Sequence, residues 1–276
     1  MKVALLQLNS GDDPATNLAV TSELVGQAAG QGAEFVLTPE VTNCVSQDRA
    51  HQARVLQNQA DDITLAGLCD AAVRHGVWLS IGSLALKTGD ADGRFANRSF
   101  LIDPAGRIVA QYDKIHMFDV TVSPSESYRE SAGYRPGECA VVADTPFAKI
   151  GMSVCYDVRF AYLYRALAHA GAHILLVPSA FSPVTGAAHW EPLLRVRAIE
   201  TGSYVLAAAQ TGTHPAQSGK PRQTYGHSLA VSPWGEVLVD MGTVPGIAMV
   251  DLDLAEVAQS RKRIAALSHD RPFEGP

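Results

Sequence analysis

An α/β fold is predicted by this sequence, with two mixed β-sheets packed face to face and helices outside. Three observations carry that reading. Short apolar runs alternate with helical stretches near the amino terminus, and the same alternation returns in the second half. Each series then gives way to strand-turn-strand hairpins. Strands that are apolar on both faces need cover on both, which mixed sheets obtain from helices and from each other. No Gly/Ser linker or low-complexity segment divides the halves, so residues 1–276 are read as one domain.

In chain order, VALLQL at residues 3–8 is a strand, residues 17–31 a helix and residues 34–38 a strand, which together make a βαβ unit. A helix at residues 63–75 leads into the strand VWLSIGSL at 77–84. Strands at 97–103 and 107–113 flank the turn signal Asp103-Pro104-Ala105-Gly106. From 114 to 138 the chain is polar and rich in Pro and Gly, and it is read as a long loop that walls a site. The second half repeats the outline: strand 148–155, helix 162–170, strand 173–178, helix 190–201 and strand 203–209. Strands at 227–232 and 236–241 surround Ser232-Pro233-Trp234-Gly235, and a strand at 247–253 precedes a last helix at 254–264.

A hydrophobic content of 47% is ample for a large core. The net charge of -6, without a long basic run, gives no electrostatic reason to expect nucleic acid, so a small-molecule partner is expected. The amino terminus enters a strand at once and has no room for a signal peptide, and no apolar run approaches the roughly 20 residues of a membrane span. Cys44, Cys69, Cys139 and Cys155 show neither C-x-x-C pairing nor regular spacing. That excludes a disulfide framework or zinc site and fits a reducing, cytoplasmic setting. His169 and His173 stand four apart, but Gly171 between them favours a structural reading; no metal is predicted.

Three residues of complementary chemistry each stand beside an apolar, strand-like run: Glu40 in FVLTPE, Lys114 in IVAQYDKIH and Cys155 in IGMSVCYDVRF. A cysteine attacks a carbonyl only as thiolate, so it needs a group to take its proton and a cation to stabilise the oxyanion that forms. Glutamate and lysine supply both. Singly, each has a plainer alternative: Cys155 as a buried thiol, Glu40 as a loop carboxylate or helix cap, Lys114 as a solvated charge. Their shared topological position, beside apolar strands in an α/β sheet, is where ligand sites form.

TPE at Glu40, YDKIHMFD at Lys114 and CYDVRF at Cys155 resemble the Glu-Lys-Cys set of the nitrilase superfamily of carbon-nitrogen hydrolases, and the resemblance runs from VALLQLNSGDDPATNLA to the DLDL segment. It implies a four-layer αββα sandwich that dimerises through the helices after Cys155 and around HWEPLLRVRAIE. A catalytically silent scaffold or a redox sensor on the same fold are the alternatives; the intact trio speaks against the first, and no resolving cysteine lies near Cys155 in sequence.

Within the superfamily, Cys155-Tyr156-Asp157 is similar to amidases, and SAFSPVTGAAHWEPLLRVRAIETGSYVLAAAQTGTH with TYGHSLAVSPWGEV resembles the branch acting on deaminated glutathione, with the omega-amidases of alpha-ketoglutaramate and carbamoyl-amide hydrolases as rivals. The resemblance implies a cofactor-free hydrolysis of the substrate's terminal amide to carboxylate and ammonia. Cys155 attacks, Glu40 shuttles the proton and activates water against a thioester, and Lys114 with the Tyr156 N–H meets the oxyanion. It also implies that Glu130 in YRES supports Lys114 or positions substrate, with a solvated loop charge as the alternative. Arg159 would bind a substrate carboxylate, the alternative being an ion pair with Asp157, and Phe181 and Thr185 would line the opposite side. The chain departs from the family pattern in reading Arg159-Phe160-Ala161-Tyr162 where R-F-P-E is usual, and Thr38-Pro39-Glu40 where F-P-E is usual. Without a proline at its first position, the helix after Cys155 loses a start signal.

Overall fold

A computed structural model describes residues 1–123 and 126–275 of the chain. Its first sheet holds β1 (Lys2–Gln7), β2 (Phe35–Leu37), β3 (Trp78–Lys87), β4 (Phe95–Ile102), β5 (Ile108–Asp113) and the carboxy-terminal β16 (Gly246–Asp251). They are ordered β16-β1-β2-β3-β4-β5. β1, β2 and β3 run parallel and the hairpins close antiparallel, so the sheet is mixed. The second sheet, ordered β15-β14-β11-β10-β9-β8, comprises β8 (Val141–Asp144), β9 (Lys149–Met152), β10 (Ile174–Leu176), β11 (Tyr204–Ala207), β14 (Leu229–Val231) and β15 (Val237–Asp240).

The period-two alternation of a strand decides the layers. In β1, Val3 and Leu5 pack with Ile150, Met152, Ile174 and Leu176 of the second sheet, forming the core between the sheets. Their neighbours Ala4 and Leu6 face the other way, onto Val25 and Ala28 of α1 (Pro14–Gly30) and Leu68 and Ala72 of α3 (Ile63–His75). On the second sheet the cover comes from α4 (Ala161–His169) and α5 (Pro183–Thr201), through Leu163, Leu167, Leu194 and Ala198. A last helix, α6 (Ala255–Arg263), follows β16. The two sheets, face to face with helices outside, are those expected from the sequence.

Both expected hairpin turns form around a glycine in the left-handed region. Gly106 has φ +77° and donates to the Asp103 carbonyl at 2.9 Å, and Gly235 has φ +88° and donates to Ser232 at 2.9 Å. Several elements differ from expectation. α1 and α5 begin earlier than their apolar periods, at Pro14 and Pro183, each directly after a capping-type residue, Asp13 and Ser182. A short helix α2 (Arg49–Val55), capped by Asp48, occupies a stretch where none was read. The 114–138 stretch is not a structureless loop. It contains β6 (Asp119–Ser123) paired with β7 (Glu126–Arg129) and a single 3-10 turn at Glu130–Ala132. β8 and the small pair β12 (Thr211–Thr213) and β13 (Gln223–Tyr225) were likewise unread. His169 and His173 serve separate partners, Asp270 and the Lys149 N–H. No helix among the described residues is long and apolar enough to cross a membrane.

Candidate active site

β2 ends at Leu37 and β9 at Met152, and three residues beyond each end stand Glu40 and Cys155. The turn carrying Glu40 folds against β3. The Thr42 hydroxyl donates to the Pro39 carbonyl and the Val41 N–H to the Ser83 hydroxyl, both at 2.8 Å, while Gly82 donates to Thr38 Oγ1 at 3.1 Å. This approach demands glycine at 82. A Cβ there would lie 2.1 Å from the Thr38 carbonyl oxygen and 2.5 Å from both the Pro39 oxygen and Pro178 Cβ. The Cys155 turn is held by its own N–H on the Pro178 carbonyl at 2.9 Å. Gly82 therefore sits where the two turns meet. Val41 and Cys155 have φ of +46° and +51°, a left-handed conformation that costs a residue with a Cβ of order 1 kcal/mol.

Both turns deliver their side chains to one cavity of about 310 Å³, the lower end of the range for small-molecule sites. Glu40 is buried, and its oxygens are fully engaged. Oε1 accepts from Lys114 Nζ at 2.9 Å and Asn97 Nδ2 at 2.8 Å, and Oε2 accepts from the Ala180 N–H at 2.8 Å. Lys114 follows β5 and bridges Glu40 to Glu130, whose two oxygens stand 2.9 and 2.8 Å from Nζ. Glu130 Oε2 also takes the Phe118 N–H at 2.6 Å, so the carboxylate anchors the hairpin as well as the lysine.

Charge states follow from this geometry. Burial alone would raise the Glu40 carboxyl, but the charge of Lys114, then that of Arg222, outweighs it and holds the group below its ordinary value. Burial would likewise lower the Lys114 ammonium, yet Glu130 and Glu40 keep it well above its usual range. Cys155 goes the other way, its thiol pushed far up by burial and then by the Glu40 charge. At rest the site thus holds a carboxylate, an ammonium and a protonated thiol.

Asp157, fully buried two residues past the cysteine, ties the Cys155 turn to the strand that precedes Lys114. It accepts from the Val154 N–H at 2.8 Å, Tyr112 hydroxyl at 2.7 Å, His116 N–H at 3.0 Å and His116 Nδ1 at 2.6 Å. α4 starts at Ala161 with no side-chain cap on Phe160, so the helix forms without the missing proline.

A family model described as carbon-nitrogen hydrolase matches residues 2–262. The chain belongs to the carbon-nitrogen hydrolase family. Among curated relatives, the deaminated glutathione amidase of Yersinia enterocolitica is 41% identical over 271 residues, covering 98% of this chain and 92% of that protein. The NitFhit protein of C. elegans matches with a TM-score of 0.90 and 34% identity over 98% of this chain, which spans 65% of that longer protein. An amidase from Nesterenkonia sp. AN1, solved after Michael addition of acrylamide at its active-site cysteine, matches with a TM-score of 0.77 and 26% identity, covering 96% of this chain and 98% of that one.

In this carbon-nitrogen hydrolase the cavity gathers Glu40, Lys114, Cys155, Glu130, Tyr156, Phe181 and Thr185, all singled out in the sequence. Arg159 stands outside the wall, its guanidinium 5.9 Å from the Tyr156 ring centroid and 5.6 Å from that of Phe181, with Nη2 3.2 Å from His189 Nδ1. It does not pair with Asp157, whose partners are those above. Asn97, Arg49, Arg129 and Arg222 line the cavity and were not foreseen. Asn97 shares its amide between Glu40 and, at 3.4 Å, Glu130, leaving its buried Oδ1 without a partner. Two carboxylates needing donors fix that orientation. The signal that could have found Asn97 is its place in the polar trio Asn97-Arg98-Ser99, flanked by the apolar residues of the strand FANRSFLI. Cys44 also reaches the cavity, but burial, then Asp12 and Asp13, raise its thiol to about 12.

Proposed function

We infer that the chain is a cysteine-dependent amidase whose substrate is a keto-acid amide of the deaminated glutathione type. One observation carries the mechanism: Glu40 is held ionised by Lys114 beside a thiol that is still protonated. Such a thiol loses its proton only as it attacks. As the Cys155 sulfur bonds to the amide carbon, its proton passes to Glu40, and charge collects on the carbonyl oxygen, met by Lys114 and the Tyr156 N–H. Glu40 returns the proton to the nitrogen as the C–N bond breaks. It then takes a proton from the water that attacks the thioester and passes it to the departing sulfur, freeing the acid and restoring the Cys155 thiol. Glu130 keeps Lys114 charged and placed. No cofactor takes part.

The leaving nitrogen depends on the substrate. Deaminated glutathione joins its keto acyl group to cysteinylglycine through a secondary amide, so that dipeptide leaves rather than the ammonia expected from the sequence; ammonia is the product only of primary amides such as alpha-ketoglutaramate. Purified wild type is expected to release cysteinylglycine from deaminated glutathione, and Cys155→Ala to release none. Undiminished release by the variant would remove the cysteine mechanism, and the ratio of kcat/KM between the two substrates chooses between this reading and the omega-amidase one. Exposed Tyr162, Val184, Val196 and Ile199 on α4 and α5 support a homodimer through these helices, checked by sedimentation. Four free cysteines support a cytoplasmic setting.

A further inference from the structure

The cavity is more cationic than the mechanism requires. Lys114, Arg49, Arg129 and Arg222 line it against Glu40 and Glu130 alone, in a protein whose net charge is -6. Arg222 is engaged, donating from Nη2 to the Ala180 carbonyl at 2.7 Å. Arg49, the first residue of α2, is different. Its guanidinium lies flat on the backbone of Gly133, where a Cβ would fall 1.3 Å from Nη1, and its carbon is 5.9 Å from the Tyr134 ring centroid. Tyr134 is itself fixed by Gln52, which donates to its hydroxyl at 3.0 Å. Every ion pair that an arginine makes among the described residues involves an arginine other than Arg49. A planar fork of donors, held in place at the cavity and unspent on any carboxylate of the chain, is built to receive one from a ligand.

Its side of the cavity says which carboxylate. Tyr134 follows the Glu130 turn, donating its N–H to the Glu130 carbonyl at 2.9 Å, and meets Phe95 edge-on, two residues before Asn97, which holds Glu40. Arg49 therefore belongs to the wall of the proton donor, whereas Arg159 backs the Tyr156 and Phe181 rings beside the nucleophile. When a thiol cleaves an amide, the acyl group stays on sulfur and the amine departs toward the acid that protonates it. Resting on the amidase reading, we propose that Arg49 recognises a carboxylate carried by the leaving amine. This makes the enzyme selective for acyl amides of amino acids or short peptides with a free carboxyl end over primary amides.

The test compares deaminated glutathione, the same compound with its glycine carboxyl amidated, and alpha-ketoglutaramate, in wild type and Arg49→Gln. Wild type should prefer the free acid to its amidated form by roughly tenfold to a hundredfold, the range of a charge-assisted hydrogen-bond pair. Arg49→Gln should lose that preference, mainly through KM, and keep its turnover of alpha-ketoglutaramate. A preference that survives the substitution, or an equal loss on all three compounds, would overturn the proposal. Wild type inert on all three would instead remove the amidase reading. Calorimetry on Cys155→Ala then decides Arg49 alone: tighter binding of the free acid than of its amidated form, abolished by adding Arg49→Gln, supports it, and no such difference overturns it.

Discussion

The turn after β2 and the turn after β9 place Glu40 and Cys155 at the same distance from their strands, and each contains a left-handed residue that is not glycine. They differ in what is held. Around Glu40 the side chain itself is gripped by Lys114, Asn97 and Ala180. Around Cys155 the grip is on the main chain, through Pro178 and through Asp157 on Val154. The contrast separates two requirements of acyl transfer. In the proposed mechanism, a group that must be ionised before it can take a proton is surrounded by donors, and a group that must form and break a covalent bond is aimed by its backbone and left free at its tip.

The most drastic way to break that comparison is Gly82→Ala, because the added carbon would strike the carbonyls that shape the first turn and the proline that holds the second. Overpacking of this kind should cost about 3 kcal/mol. Denaturant melts should show that loss, with kcat falling too; a variant of wild-type stability would mean the turns are not locked at this point. Next is a pH effect at His214, which follows β12. His214 bridges the Ser10 carbonyl and Thr224 Oγ1 at 2.7 Å each, as a neutral ring donating at Nδ1 and accepting at Nε2. Burial lowers it to about 4. With the folded value depressed, the unfolded chain binds the proton first. Stability should therefore decline as pH falls from about 6.5 toward 4, by roughly 3 kcal/mol in all, and His214→Gln should flatten that slope in melts across the range. The smallest effect tests the strain at the nucleophile. Cys155→Gly should melt above Cys155→Ala, by about 1 kcal/mol, since only the alanine keeps a Cβ at φ +51°; the reverse order would show that the left-handed turn stores no strain.

What could be read from the sequence follows the same division. Glu40, Lys114 and Cys155 stood out because each adjoins an apolar strand, and strand position is a local property. The glycine turns at Gly106 and Gly235 were legible for the same reason. The starts of α1 and α5 were missed because their first turns are announced by a cap and a proline rather than by the apolar period. α2 was missed because, of its seven residues, only the polar His51 and Gln52 are buried. The β6–β7 hairpin has only a brief alternation, Val120 and Val122, inside a polar, Pro- and Gly-containing stretch, and is fixed by tertiary anchors, Glu130 on Phe118 and Glu126 on the Ser182 hydroxyl at 2.8 Å. Asn97 and Arg49 gain their significance from partners 57 and 84 positions away, Glu40 and Gly133, which no window along the chain brings together.

Those separations also set an order of events in time. The bond from Ala180 to Glu40 spans 140 residues, and that from Gln210 to the Glu40 carbonyl spans 170. Helices and hairpins assemble early because their contacts are local, while contacts this distant await the closing of large loops. A refolding chain can therefore regain most of its circular dichroism while its two sheets are still undocked and its glutamate and cysteine still apart. For this protein, the return of hydrolysis is a clock for the final docking of one sheet on the other.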